Sequence, residues 1–260
     1  MKRYITIWWM LTNVTSQIAF QSKFGAGIFL LGKLLRFSFF FLFLLLLTTK
    51  TNAIAGYTLW QVIFFYATFN FLDTLPQFFF REVYRFRSYI DRGNFDYILV
   101  RPLPVLFRSL FGGSDVLDVV ILLLSLVFIF VSASHISDIS IVNIVTYILL
   151  IINAFLLALA FHILVLGVAV LTTAVDNTIM LYRDLTQMGR LPVDIYKEPL
   201  RGVITFVIPI GIMMTFPAKA LMGLLSLPLI MLSVFIGVFS VLGSYLFWKY
   251  ALTQYTSASS

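Results

Sequence analysis

Few side chains in this sequence could do chemistry, and their spacing argues against catalysis. Asp73 is the one carboxylate well inside an apolar stretch, where an ionisable group is a functional suspect because charge is costly in hydrocarbon. Arg81 follows it by about two helical turns, so pairing with Arg81 or with water is expected. His162 stands alone in another apolar stretch, and a lone histidine makes neither a metal site nor a proton relay. Beside Asp73, only His162 and Asp176 are candidates for a proton path. The run Gly27-Ile28-Phe29-Leu30-Leu31-Gly32-Lys33-Leu34 has the spacing of a phosphate-binding loop. It ends in Leu where Ser or Thr must bind Mg²⁺, and no strand precedes it, so the match is chance. Asn13-Val14-Thr15 fits a glycosylation acceptor but falls on the side read as inner. No Ser/His/Asp set and no paired carboxylates occur at catalytic spacing. The absence of cysteine excludes disulfides and thiolate metal sites.

The elements that must position these residues are membrane spans. The chain has 260 residues, 61% of them hydrophobic, and a mean hydropathy of +1.01, outside the range of soluble domains. At about 20 residues per crossing its length suits one all-α bundle of roughly six transmembrane helices, a single domain over 1–260. The formal charge of +7 does not indicate nucleic acid, because the cations are dispersed over loops that flank apolar spans. Sixteen of the eighteen Lys and Arg residues lie at 1–36, 81–108, 183–201 and position 249; Lys50 and Lys219 are the exceptions. Retention of Lys and Arg in cytoplasmic loops puts those segments inside, with both termini, and favours contact with anionic membrane lipids.

Residues 1–33 read as an interfacial N-terminus anchored by Trp8 and Trp9 rather than as a signal peptide, since polar residues return at Thr12 and Asn13 without a cleavage site. The expected spans are 34–52, 57–80, 114–134, 141–172, 202–216 and 228–248. Lys33 and Arg36 are expected to snorkel to the inner interface of the first; a start near Phe24 would place both inside the membrane. Asp115 and Asp118 complement the dipole at the start of the third span. The fourth is long enough to tilt or protrude. Pro209, Pro217, Gly223 and Pro228 mark a broken or re-entrant region before the last helix.

Two inner loops remain, 81–113 and 173–201. The first mixes arginines with Tyr84, Phe86, Tyr89, Phe95 and Tyr97; Gly93 breaks any helix there, and Pro102 and Pro104 impose an extended exit. A short amphipathic helix on the inner membrane face, able to dock into a soluble partner, fits this pattern. Each arginine taken singly is accounted for by topology and lipid contact alone.

The stretch from Arg92 and Gly93 through Asp96 to Arg101 and Pro102 resembles the glycine, acidic residue, leucine, Arg-Pro pattern of permease subunits of type-two ABC exporters. Arg190-Leu191-Pro192-Val193-Asp194-Ile195-Tyr196 resembles their Arg-Tyr-Pro-x-Asp-x-Tyr element, with Leu191 in place of an aromatic. Pro209, Pro217-Ala218 and the terminal Tyr255-Thr256-Ser257-Ala258-Ser259 follow in the family's order. The resemblance implies an exporter subunit in a bacterial-type plasma membrane that pairs with a second copy of itself or a related permease. Each copy engages a separate ABC ATPase subunit, where Mg-ATP is hydrolysed; this chain carries no cofactor and is not an enzyme. Arg92, Gly93, Asp96, Arg101 and Pro102 are then the coupling candidates, supported by Arg190, Pro192, Asp194 and Tyr196. The rival readings are a self-sufficient proton-coupled transporter, for which intramembrane acids are scarce, and a non-transporting scaffold.

Overall fold

A computed structural model describes residues 2–51, 55–172 and 175–256. Asn52 of the expected outer turn, Thr173 at the start of the second expected loop, and Ser257-Ala258-Ser259 of the terminal motif lie outside the described residues. The described chain is helical and contains no strand. In order the helices are α1 (Lys2–Gln21), α2 (Lys23–Thr51), α3 (Leu59–Phe79), α4 (Phe86–Asp91), α5 (Phe95–Leu99) and α6 (Val105–Leu110). They continue as α7 (Asp118–Ala133), α8 (Ile141–Thr172), α9 (Val175–Gln187), α10 (Leu200–Gly202), α11 (Phe216–Leu221) and α12 (Leu227–Thr253).

The centre of the bundle is α8, a 32-residue helix about 48 Å long, longer than the roughly 30 Å hydrocarbon core of a bilayer. It packs along α12 and against α3, α9 and α11. The facing stripe of α12 is Ser233, Gly237, Ser244, Trp248 and Ala251, spaced by three, four or seven as one helical face requires. Small residues there let the two backbones approach, and Asn153 Nδ2 donates to the Ser233 carbonyl at 2.9 Å across the contact. On the other side α3 packs on α7 through an aromatic cluster in which Phe37 meets Tyr66 and Phe128. Pro76 removes a backbone donor from the last turns of α3, and Gln77 Nε2 returns to the Asp73 carbonyl at 2.9 Å.

Among the described residues three helices are long and apolar enough to cross a membrane: Lys23–Lys50, Ile141–Thr172 and Leu227–Thr253. A bent pair, Leu200–Val207 with Gly211–Leu221, makes a fourth if it counts as one span. The expected six-helix bundle is thus met only as an all-helical membrane architecture with three or four such spans. The shortfall has a physical cause. Asn70, Asp73 and Gln77 dilute the hydropathy of α3, and α7 has only 16 residues.

The first expected span, placed from residue 34 with an alternative start near Phe24, lies in a helix that runs unbroken from Lys23 to Thr51. Lys33, expected to snorkel, binds Asp115 at 3.1 Å and also Asp118. Nor does α1 lie free of the bundle. Trp8 Nε1 donates to Ser114 Oγ at 3.1 Å, and its ring stacks on Phe79. Trp9 is exposed.

The stretch expected to span at 202–216 forms a V of two limbs, each with a π-helical turn, bent by 79°. Its apex packs at Gly189, where an added Cβ would lie 3.0 Å from Ile210 Cγ2 and 2.7 Å from Met214 Cβ. Both limbs return to one level, since Lys219 after the V binds Asp194 before it at 3.0 and 3.1 Å. That level is the N-terminal end of α3, because Tyr57 Oη donates to Asp194 Oδ2 at 2.8 Å. Residues 81–110 leave the other end of α3.

Candidate functional site

The segment after α3 is a folded platform rather than the single amphipathic helix its sequence suggests. It comprises a 3₁₀ turn at Arg81–Arg85 followed by α4, α5 and α6. Gly93, at φ 66°, separates α4 from α5 in the left-handed region that glycine enters freely. Pro102 and Pro104 separate α5 from α6. Val83, Phe86, Ile90, Phe95, Ile98 and Leu110 are buried in the main core; the steps from Val83 to Phe86 to Ile90 and from Phe95 to Ile98 are the three and four that turn one helical face inward.

The platform is held by a buried acid. Glu82 is 3% exposed and accepts hydrogen bonds from Arg108 Nη1 at 2.8 Å and from Tyr89 Oη at 2.6 Å. Burial disfavours the Arg108 charge, but Glu82 more than compensates and holds its pKa above the usual value. Tyr89 is also raised, first by burial and then by the Glu82 carboxylate that accepts its proton. Gly112 makes room for this contact, since a Cβ there would lie 1.8 Å from Glu82 Oε2. At the exposed edge Arg87 bridges Asp91 and Asp176, which tethers α4 to the first turn of α9.

The five candidates on this platform divide by role. Arg92, Arg101 and Pro102 are exposed. Gly93 supplies the turn. Asp96 faces inward and accepts from Tyr255 Oη at 3.0 Å, while Phe95 meets the Tyr255 ring edge-on at 5.0 Å. Spacing alone missed Tyr97, 66% exposed, and Val100, 80% exposed, which flank Arg101. The available signal was the alternation of buried Phe95 and Ile98 with Tyr97 and Val100. Tyr255→Phe keeps the ring contact and removes the hydrogen bond, and is expected to cost about 0.5–1.5 kcal/mol. Faster amide exchange across 95–99 with the rest of the chain unchanged is the expected signature; unchanged exchange there would count against the contact.

The supporting residues are not beside the platform. Asp194 lies at the opposite end of α3, with Tyr57 and Lys219. Pro192 leads into a 3₁₀ turn at Val193–Ile195, and Val193 N donates to Thr215 Oγ1 at 3.2 Å. Tyr196 Oη donates to the Met188 carbonyl at 3.0 Å. Arg190, half-buried, lies over the Phe40 ring at 4.1 Å. The expected inner loop 173–201 therefore contains a helix, α9, that starts beside Arg87 and leads away from it. Lys219, out of place among the inner cations, was the sequence signal: a cation at that end needs a carboxylate near it.

Asp73 does not pair with Arg81, which instead approaches Asp115 at 3.8 Å. Asp73 lines a small cavity together with Lys33, Arg36 and Asp118. His162 is packed among Phe80, Tyr84 and Tyr182, and its Nδ1 bonds the Ala158 carbonyl at 2.7 Å.

Residues 34–259 match the family described as ABC-2 family transporter protein, and the chain belongs to that family, whose members act in membrane transport. Neither a curated protein nor a solved structure matches the chain.

Proposed function

We propose that this chain is the membrane-spanning subunit of an ATP-driven exporter, and that its 81–110 platform docks a separate ABC ATPase. The observation that carries this reading is the exposed row of Tyr97, Val100, Arg101 and Pro102 on a base fixed by Glu82 and the core. An aromatic, an apolar group and an arginine on a rigid surface are what a protein interface uses as anchors. ATP and Mg²⁺ belong on the partner. Two permeases, identical or related, enclose the pathway, and closure of the ATPases shifts them between two conformations that bind the ATPase differently.

The positive-inside bias orients the platform end toward the cytoplasm of the plasma membrane, with both termini there. The chain then crosses six times. α2, α3, α7 and α8 make four crossings, residues 175–196 the fifth in place of 202–216, and α12 the sixth. The 200–221 hairpin re-enters from the outer face, which suits its return from Asp194 to Lys219.

The test is affinity capture of the full-length protein from its native host in mild detergent. A stoichiometric ATPase with nucleotide-binding motifs is expected, with recovery reduced roughly tenfold by Arg101→Glu while the permease stays monodisperse. Repeated capture of intact permease without any ATPase would defeat the proposal and favour a self-sufficient transporter.

A further inference from the structure

A cavity of about 630 Å³ lies where the platform meets the spans, within the roughly 300–1,000 Å³ range of small-ligand sites. It is lined by Phe107 and Leu110 from α6, Leu159 and Ile163 from α8, and Val241 and Lys249 from α12. Lys249 is the one charged residue of the lining, and every other lining residue is apolar or aromatic.

Two observations bear on what fills it. The first is its surroundings. Tyr4 on α1 meets the Phe107 ring at 5.0 Å, so α1 passes along the lip, where Ile5, Trp9 and Met10 are exposed. On α12, Leu242 and Leu246 are exposed beside the lining residues Val241 and Tyr245. A cavity bordered by exposed apolar side chains in a membrane protein has acyl chains as its neighbours. Left empty, it forfeits the dispersion contacts of its lining.

The second is charge. Lys249 is exposed, and its Nζ lies over the Tyr245 ring at 4.8 Å. Lys2 and Arg3, just before Tyr4, are exposed as well. Among the described residues none of these three cations forms an ion pair. Exposed Tyr245 and Tyr250 flank Lys249, as tyrosines do at the level of lipid headgroups. Cations at that level attract anionic lipid.

We infer that the cavity between α6, α8 and α12 holds an acyl chain of an anionic phospholipid, with the lipid phosphate on Lys249 and with Lys2 and Arg3 at the lip. The lipid then packs the platform against the spans, since Phe80 and Leu110 of its lining belong to the main core. The inference goes beyond the transport reading and takes nothing from it, and its test uses no ATPase.

The experiment is native mass spectrometry of the full-length detergent-purified protein titrated with phosphatidylglycerol or with phosphatidylcholine. Wild type should retain phosphatidylglycerol roughly tenfold more tightly. Lys249→Gln should cut that preference about threefold or more, whereas Lys50→Gln, at an exposed cation near the end of α2, should leave it unchanged. Val241→Phe, which fills the cavity, should weaken retention of both lipids several-fold and raise the melting temperature in lipid-free detergent, a gain that misfolding cannot mimic. Because Lys249 is exposed, its variant tests the site even where cavity filling disturbs folding. Equal retention of the two lipids by wild type, or an unchanged preference in Lys249→Gln, overturns the inference. Dimers of the wild type that Val241→Phe dissociates, without any lipid preference, would assign the cavity to a second copy of the chain and overturn the lipid assignment.

Discussion

Glu82→Ala is expected to lower the stability of the platform by about 3–5 kcal/mol, because it strands a buried arginine. Arg108 has a side chain 12% exposed and Glu82 as its one carboxylate partner among the described residues; Tyr89 Oη, at 3.2 Å, is the contact that would remain. Losing the acid also deprives Tyr89 of its acceptor. Amide exchange over 81–110 should rise by orders of magnitude, and ATPase capture should fall with it, although Glu82 is too buried to touch a partner. Replacing both charges, Glu82→Ala with Arg108→Met, should recover much of the stability, since the cost lies in the orphaned ion rather than in the lost attraction. Native-like exchange in the single variant would show that the ion pair does not hold the platform together.

The second large effect is expected at Gly237. A Cβ there would lie 1.9 Å from Asn153 Oδ1 and 2.8 Å from its Cγ, so even Gly237→Ala must push α12 from α8 or turn Asn153 away from Ser233. Overpacking of this kind costs about 1–3 kcal/mol, against the benefit alanine usually brings to a helix. Gly243 on the same helix is the internal control, since nothing lies within 4 Å of its added Cβ. Gly243→Ala should leave the melting temperature in detergent unchanged or slightly raised, while Gly237→Ala lowers it by several degrees. Equal behaviour of the two variants would mean that α8 and α12 are not packed at Gly237 as described.

Parts of this architecture were legible because they depend on local chemistry. Gly93 ends a helix for want of a Cβ, Pro102 and Pro104 force an extended exit, and the prolines of the last third announce a broken segment. What was hidden depends on distance along the chain. Tyr57 and Asp194 are 137 residues apart and Asp96 and Tyr255 are 159 apart, and no periodicity encodes such pairs. Residues 175–196 read as a loop for a different reason. Hydropathy detects helices that face lipid, whereas α9 and its extension turn Arg183, Gln187 and Arg190 toward other protein. The same property lowers the apparent span quality of α3, whose Asn70, Asp73 and Gln77 line the same interior.

The bond between Tyr255 and Asp96 makes α12 a crank. The helix has 27 residues, about 40 Å at 1.5 Å per residue, and its foot is tied to α5, the helix that carries the exposed anchors. A sideways step of about 1 Å at that foot rocks the shaft by roughly 1.4°, an angle set by the same length. Because α8 is meshed with α12 along the Gly237 face, the two would swing together. Force applied at α5 therefore has a rigid route to the far rim of the bundle, and the tyrosine is the pin that keeps the crank engaged.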